Sequence, residues 1–244
     1  MAQLYTIMSQ ELSQYPKLGW GYQLSRRLLG ELTHVFNIQV FGKENLKFVD
    51  EQHPTIFPFF PHTGHGDSWI VHHILKENGV TKIVTEAAAD YWFRNWAIAL
   101  LANATMPAFP LPRKGNKAIQ EAESHVAKLV IEKGYSVLLS PEGTRNQLPL
   151  EERELKTGFA NLALTTESPI IPIGIYGYNN VWPRGSNLPN LFDGLQRKLV
   201  TVVIGKPEAF SINNGNNDAR ETRRKIVEVV KKRFIAMSKY HLVR

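Results

Sequence analysis

The residues of this 244-residue chain that could do chemistry are concentrated in two short loops, the first being His62-Thr-Gly-His-Gly-Asp67. Gly64 and Gly66 allow the backbone to fold back tightly, so that the Asp67 carboxylate can reach the ring of His62. A carboxylate on one imidazole nitrogen fixes the tautomer and raises the basicity of the other nitrogen. The pair predicts a general base. Because no enzyme nucleophile accompanies it, we expect the substrate to supply its own hydroxyl.

The second loop, Ser140-Pro-Glu-Gly-Thr-Arg145, has the residue types that hold an anion. Its backbone amides can face the anion, and the planar guanidinium of Arg145 can bind it through two hydrogen bonds. Glu142 can pair with Arg145 or accept a hydrogen bond from a substrate hydroxyl. Arg113 and Lys114 add two cations at the end of an earlier extended segment. Three cations at one edge of a sheet favour a phosphate, although a structural turn closed by an ion pair has the same sequence.

Other interpretations of the first loop fit the sequence less well. A metal site could use its histidines with His72 and His73, but Ser68 stands where the His-x-His-x-Asp-His pattern has its last ligand. A serine hydrolase is disfavoured because the chain has no Gly-x-Ser-x-Gly elbow. A hydrogen-bonded core histidine would explain this loop alone and leave the second loop unexplained. A metal site at this loop is therefore disfavoured.

The elements that must position these loops alternate between strand and helix. Both loops follow short apolar runs, and ligands of open α/β sheets bind at the carboxyl ends of the strands. We expect a single mixed, mostly parallel sheet flanked by helices, preceded by an N-terminal amphipathic helical segment. Strands are predicted within 35–46 and at 55–61, 80–86, 106–113, 135–140, 169–175 and 199–204, and helices at 18–36, 69–76, 91–102, 116–134 and from 218 onward.

Two of the predicted helices carry recognisable end signals. Asn116 is expected to cap one of them, and Gly134, which tolerates left-handed backbone, is expected to end it. Asp218 and Glu221, three residues apart, predict a capping box at the start of the last helix. The inward face of that last helix is predicted to hold Ile226, Val229, Val230, Phe234 and Met237.

The distribution of charge predicts an anionic partner. The chain carries a net charge of +7, and residues 197–244 alone carry 12 basic and four acidic side chains. Such a patch attracts anionic lipid headgroups, nucleic acid or an acidic protein, although a solvated helix face has the same composition. Residues 18–36 place Trp20, Tyr22, Arg26 and Arg27 beside an apolar stripe, which suits either a membrane interface or a helix packed on its own core.

Composition excludes several classes of protein. Hydrophobic residues at 43% and charged residues at 21% exclude collagen-like and broadly disordered chains, and the absence of Cys excludes a disulfide framework and a catalytic cysteine. No run approaches the roughly 18–20 apolar residues of a membrane span, and the first residues do not form a signal peptide. We expect a cytoplasmic protein, peripheral on the inner face of the membrane. A nucleic-acid partner is not expected, because the chain has no recognisable nucleic-acid-binding motif.

Four motifs resemble, in order and spacing, those of the glycerolipid acyltransferases. They are His62 and Asp67 as His-x4-Asp, the Pro-Arg segment that ends at Arg113, Pro-Glu-Gly-Thr-Arg at 141–145, and Ile-Pro-Ile-Gly-Ile-Tyr-Gly at 171–177. The similarity runs from about residue 38 to 205 and is to lysophosphatidic acid (1-acylglycerol-3-phosphate) acyltransferases of the bacterial and plastid type. The chain departs from that pattern before the first and third motifs, where Pro61 and Ser140 replace the common Asn and Phe.

The resemblance implies a reaction. The donor would be acyl-CoA or acyl carrier protein, and the acceptor a lysophospholipid, most simply 1-acylglycerol-3-phosphate, giving phosphatidic acid. A soluble acyltransferase acting on a non-glycerolipid hydroxyl or amine is the alternative. The resemblance also implies two parts of the chain, an N-terminal helical segment at 1–36, possibly at the membrane interface, and an acyltransferase domain at 37–244.

The resemblance further implies a role for each motif residue. His62 would remove the proton of the acceptor hydroxyl, Asp67 would orient His62, and neither a metal nor an organic cofactor would be required. The remaining residues would bind substrate: Arg113, Lys114, Glu142, Gly143, Thr144 and Arg145 on the phosphate and glycerol side, and Pro172 on the acyl-donor side.

Overall fold

The computed structural model of the chain describes residues 36–64, 66–88, 106–112, 115–183, 186, 189–211 and 218–242. Short apolar and β-branched runs form a seven-stranded sheet that is covered on both faces. A separate two-stranded hairpin pairs β7 with β8. The strands are β1 (Asn37–Phe41), β2 (Ile56–Phe60), β3 (Ile83–Ala88), β4 (Ala108–Leu111), β5 (Ser136–Leu139), β6 (Ile173–Tyr176), β7 (Phe192–Asp193), β8 (Gln196–Arg197) and β9 (Leu199–Ile204).

The strand order of the large sheet is β1-β9-β6-β2-β5-β3-β4. The five strands from β6 to β4 in that order run parallel, whereas β9 is antiparallel to β6 and β1 is parallel to β9. The expected mixed, mostly parallel sheet is confirmed. Since β2 and β5 are parallel neighbours, the two loops that follow them leave the sheet at the same edge.

Helices cover both faces of this sheet. Helices α2, α3 and α5 pack on one face, while α1 and α4 pack on the other. Each face buries its own cluster of apolar side chains, with Val126, Phe159 and Phe234 in the first and Ile70 and Tyr178 in the second. The helices are α1 (Asp67–Glu77), α2 (Asn116–Lys133), α3 (Gly158–Thr166), α4 (Tyr178–Val181) and α5 (Ala219–Leu242), and short 3₁₀ turns occupy Lys43–Leu46 and Leu150–Glu152.

The ends of α2 agree only in part with the sequence signals. The helix begins at Asn116 with Gly115 in the cap position and without a side-chain cap bond, so the predicted Asn116 cap is wrong. Gly115 has φ 87° and ψ 101°, a conformation that glycine adopts easily, and the chain enters the helix through it. Gly134 ends the helix in the left-handed conformation at φ 67°, as predicted.

The start of α5 has one of the two side-chain hydrogen bonds of the predicted capping box. Asp218 Oδ1 accepts a hydrogen bond from the Arg220 amide at 3.0 Å. The Glu221 carboxylate pairs with Lys225 Nζ at 2.7 Å instead of turning back to the cap, so the reciprocal bond is a wrong prediction. Four of the five residues predicted to face inward are buried, but Val229 is exposed because it lies on the side of the helix that faces away from the sheet.

Several expectations fall outside the described residues. These are the N-terminal helical segment up to residue 35, the helix predicted at 91–102, and the positions of Arg113 and Lys114. The boundary between 1–36 and 37–244 therefore stays a prediction. Among the helices that the structure describes, none combines the length and the apolar character needed to cross a membrane.

Candidate active site

The site begins with a contact between His62 and Asp67 at the carboxyl end of β2. His62 Nδ1 lies 3.0 Å from Asp67 Oδ1. The Asp67 side chain has no exposed surface, whereas that of His62 keeps 21% of its surface exposed. A carboxylate only accepts hydrogen bonds, so Nδ1 carries the hydrogen and Nε2 is left as the basic nitrogen. The expected contact between the two side chains is formed, and the imidazole of His62 remains partly exposed.

Asp67 is held by backbone amides of its own loop. Its Oδ2 accepts from the amides of Thr63 and Gly64 at 2.8 and 2.9 Å, and its Oδ1 accepts from the amide of Ser68 at 3.0 Å. All these groups donate, which suits the ionised form of the carboxylate. Asp67 is also the first residue of α1, where the helix dipole favours a negative charge. The carboxylate therefore cannot turn away from His62 without losing several hydrogen bonds.

Tyr178, at the start of α4, explains why the loop needs glycine at two positions. A Cβ on Gly64 would lie 2.5 Å from Tyr178 Cε1, and a Cβ on Gly66 would overlap the tyrosine hydroxyl. Burial, together with the neighbouring Asp67 carboxylate, raises the pKa of Tyr178 above its ordinary value, so the phenol stays protonated. The ring is a rigid surface against which the His62–Asp67 loop is folded.

The two chemistry-bearing loops are joined to each other by hydrogen bonds. The register pairs Pro58 with Leu139, near the ends of the two strands that the loops follow. The His62 amide donates to Glu142 Oε2 at 2.6 Å, and the Asn146 amide donates to the His62 carbonyl at 3.0 Å. The backbone of His62 is therefore fixed from both sides by the second loop.

Glu142 belongs to a buried ion pair that fixes the second loop. Arg153 Nη1 lies 3.3 Å from Glu142 Oε1, and the two side chains are 6% and 2% exposed. Arg153 Nε donates to the Leu148 carbonyl at 2.7 Å, and its guanidinium lies over the ring of Phe60. Burial raises the pKa of Glu142, while the His62 amide and Arg153 oppose that rise. Glu142 contacts Arg153 and His62, so its predicted contact with a substrate hydroxyl stays a prediction.

Comparison with known proteins agrees with this geometry. The sequence profile of the acyltransferase family matches residues 37–176, which are more than half of the chain and include both loops. The chain belongs to the acyltransferase family. The resemblance carried by the four sequence motifs is thereby confirmed.

Two relatives of this acyltransferase-family chain are informative. A 1-acyl-sn-glycerol-3-phosphate acyltransferase of Cocos nucifera is 34% identical over 80 residues, which cover 31% of this chain and 24% of that protein. The match thus spans about a quarter of the relative's length. The crystal structure of the 1-acyl-sn-glycerophosphate (LPA) acyltransferase PlsC from Thermotoga maritima aligns over 97% of this chain and 84% of its own, with a TM-score of 0.52 and 17% identity. That similarity supports the fold.

Three of the predicted substrate-binding residues of this acyltransferase-family chain lie between Glu142 and Asn146, the two residues that are hydrogen-bonded to the backbone of His62. Gly143 has φ 65° and turns the loop back after the buried Glu142. Thr144 is exposed and Arg145 is half-buried. The Gly143 amide donates to the Ser140 carbonyl at 3.0 Å, which closes the turn. The predicted role of these residues in binding a phosphate is untested by this geometry and stays a prediction.

The other predicted binding residues are Arg113, Lys114 and Pro172. Arg113 and Lys114 lie outside the described residues, so their role stays a prediction. Pro172 is buried just before β6, and its carbonyl accepts from the Gly205 amide at 2.8 Å. Phe60 and Gly174 are paired in neighbouring parallel strands. Pro172 comes two residues before Gly174, whereas His62 comes two residues after Phe60, so the two residues lie on opposite sides of this pair along the strands. The role of Pro172 on the acyl-donor side stays a prediction.

Two residues of the site were missed by the sequence analysis. Arg153 lies eleven positions after Glu142 in a charged stretch, and nothing in its local pattern distinguishes it from a solvated arginine. Tyr178 directly follows the last motif, and its location beneath the first loop depends on the crossing from β6 to α4. The paired glycines at 64 and 66 were the signal that something large packs against the loop.

Proposed function

We propose that this protein transfers a fatty acyl group from a thioester, acyl-CoA or acyl carrier protein, to the hydroxyl of a lysophospholipid. The preferred acceptor is 1-acylglycerol-3-phosphate, and the product is phosphatidic acid. The observation that carries the proposal is the His62–Asp67 contact of 3.0 Å, with the carboxylate buried and the imidazole accessible. A general base without an enzyme nucleophile suits a substrate that carries its own hydroxyl.

In the first step, His62 Nε2 removes the proton of the acceptor hydroxyl while the oxygen attacks the thioester carbonyl carbon. A carbon–oxygen bond forms, and the carbonyl becomes a tetrahedral oxyanion. The imidazole becomes an imidazolium, which the Asp67 carboxylate stabilises through Nδ1. Asp67 does not move a proton; it holds the ring and its tautomer.

In the second step, the tetrahedral intermediate collapses and the carbon–sulfur bond breaks. The imidazolium returns its proton to the departing thiolate, so His62 ends as the neutral imidazole with which it began. The products are the acyl ester and the free thiol. Neither step needs a metal ion or an organic cofactor.

The second loop supports a phosphorylated acceptor. The Asn146 amide donates to the His62 carbonyl at 3.0 Å, so Arg145 directly precedes a residue that is hydrogen-bonded to the backbone of His62. A guanidinium in this loop can bind a phosphate through two charge-assisted hydrogen bonds. Both relatives are named as acyltransferases of acylated glycerol phosphate, which agrees with such an acceptor.

We further propose that the protein docks on the inner, anionic face of the membrane, where both substrates partition. The described part of α5 exposes Arg220, Arg224, Lys225, Lys232 and Lys239. Each basic side chain near an anionic surface contributes about 1 kcal/mol of attraction, which salt screens.

The proposed reaction is tested by thiol release from acyl-CoA and from acyl carrier protein with a panel of acceptors. The panel contains 1-oleoylglycerol 3-phosphate, glycerol 3-phosphate, lysophosphatidylcholine, monoacylglycerol and a simple primary amine, and mass spectrometry identifies the product. We expect the fastest release, with phosphatidic acid as product, from 1-oleoylglycerol 3-phosphate. Release that is fastest with the amine or with a water-soluble hydroxyl would instead establish a soluble acyltransferase on the same site. No release with any acceptor would contradict the proposal.

A further inference from the structure

Lys156 lies across the turn of the second loop, although it comes well after that loop in the sequence. If Gly143 carried a Cβ, that atom would be 2.7 Å from Lys156 Nζ, 3.1 Å from its Cε and 3.3 Å from its Cδ. The end of the lysine side chain thus rests in the space that the missing side chain of Gly143 leaves. The backbone is fixed in the same place, because the Lys156 amide donates to the Pro141 carbonyl at 2.8 Å.

The ammonium of Lys156 has no anionic partner within the described part of the chain. Its nearest acidic neighbour in the loop, Glu142, is buried and directs its oxygens to Arg153 and to the His62 amide. The lysine residue itself is exposed. A cation without an anionic partner among the described residues therefore lies over the turn at Gly143, in the same loop whose Glu142 side chain and Asn146 amide are hydrogen-bonded to the backbone of His62.

We propose that Lys156 is a phosphate-binding residue of the substrate site. The proposal rests on the proposed function and deepens it. A phosphate can be supplied by the acceptor, as a glycerol phosphate, or by the donor, through the phosphates of its pantetheine carrier. In either case the ammonium of Lys156 binds the phosphate oxygens over the turn at Gly143, in the loop that the sequence predicts to bind phosphate.

The kinetic test compares Lys156→Met, Lys156→Arg and the control Lys128→Met. Methionine keeps an unbranched side chain over Gly143 and removes the charge, whereas arginine keeps the charge. Lys128 is exposed on α2, so its loss lowers the net charge equally without touching the loop. We expect Lys156→Met to raise one KM about 10- to 100-fold with kcat within twofold, and we expect Lys156→Arg and Lys128→Met to stay near the wild type.

The substrate whose KM rises identifies the source of the phosphate. A rise for 1-oleoylglycerol 3-phosphate, with no change for monoacylglycerol, assigns Lys156 to the acceptor, and a rise for acyl-CoA alone assigns it to the donor. If neither KM changes while the variant melts at the wild-type temperature, the proposal is overturned.

A second measurement does not depend on turnover. Lys156 of the wild-type protein is acetylated with an amine-reactive ester, and its labelling is quantified by mass spectrometry with and without glycerol 3-phosphate or coenzyme A. We expect one of these probes to protect Lys156 and to leave Lys128 unprotected. A wild-type protein that acylates no acceptor would contradict the proposed function, and labelling of Lys156 that neither probe reduces would contradict this inference separately.

Discussion

Replacing Arg153 with methionine would leave the Glu142 carboxylate buried without its cationic partner. The charged atoms are 3.3 Å apart and both side chains are almost fully buried. At that distance an effective dielectric constant of about 20 gives an attraction of about 5 kcal/mol, and removing one partner of a buried pair typically costs about 3–5 kcal/mol. We expect the variant to lose about 3 kcal/mol of unfolding free energy at pH 8.

The loss should depend on pH in a definite direction. Burial already raises the pKa of Glu142, and losing Arg153 raises it further. A carboxyl whose pKa is higher in the folded chain takes up a proton on folding, so its folded state loses stability as the pH rises from the unfolded pKa of about 4.3. The destabilisation of Arg153→Met relative to the wild type should therefore be small at pH 5 and largest above the raised pKa of Glu142.

Guanidinium unfolding at pH 5 and pH 8 measures this difference. The matched control is Arg233→Met, because Arg233 pairs with Glu208 at 2.7 Å while remaining 59% exposed, and exposed pairs contribute about 0–1 kcal/mol. Adding Glu142→Gln to Arg153→Met should restore part of the stability by removing the unpaired charge. If the loss were equal at both pH values and Glu142→Gln gave no rescue, the effect would come from packing on Phe60, and the ion-pair argument would be refuted.

Three further outcomes are expected. Gly66→Ala should lower the free energy of unfolding by about 1–3 kcal/mol, because the new Cβ overpacks against Tyr178, and adding Tyr178→Phe should restore part of that loss. Gly158→Ala is the control, because its new Cβ makes only an ordinary van der Waals contact. Thermal unfolding of the three variants measures these differences. Arg145→Ala should raise KM for 1-oleoylglycerol 3-phosphate by about 10- to 100-fold and leave monoacylglycerol little affected, and equal effects on both acceptors in steady-state assays would make the arginine structural. Co-sedimentation with anionic liposomes should fall with salt without being abolished, and deletion of residues 1–36 should remove the salt-resistant part. Indifference to vesicle charge would contradict membrane docking.

The sheet and the first loop could be predicted because local sequence determines them. The apolar run at 55–61 is followed by two glycines and an aspartate. His62 and Asp67 are separated by only four residues, so one tight loop can bring their side chains together. The second loop was found for the same reason, since its glycine and proline follow directly on a buried strand. The adjacency of the two loops needed only the rule that parallel strands end at the same edge.

The partners of those loops could not be predicted, because they are set by the return path of the chain. Glu142 was expected to pair with Arg145 or with substrate, but its observed partner is Arg153. Arg153 lies in the segment that loops back to the sheet, where the Lys156 amide donates to the Pro141 carbonyl. Tyr178 reaches the first loop from a strand on the other side of β2. A lone sequence shows the residues of a site but not which distant side chain neutralises or supports them.

The central claim is that His62, oriented by Asp67, is the general base of acyl transfer. Its most direct test is the kcat for thiol release from acyl-CoA in the presence of 1-oleoylglycerol 3-phosphate, measured for the wild type, His62→Ala and Asp67→Asn at equal folded concentration. We expect His62→Ala to lower kcat by about 10²- to 10⁴-fold. Asp67→Asn should lower it comparably, because the amide favours the wrong tautomer. A His62→Ala variant that folds normally and retains more than a tenth of the wild-type kcat would contradict the account.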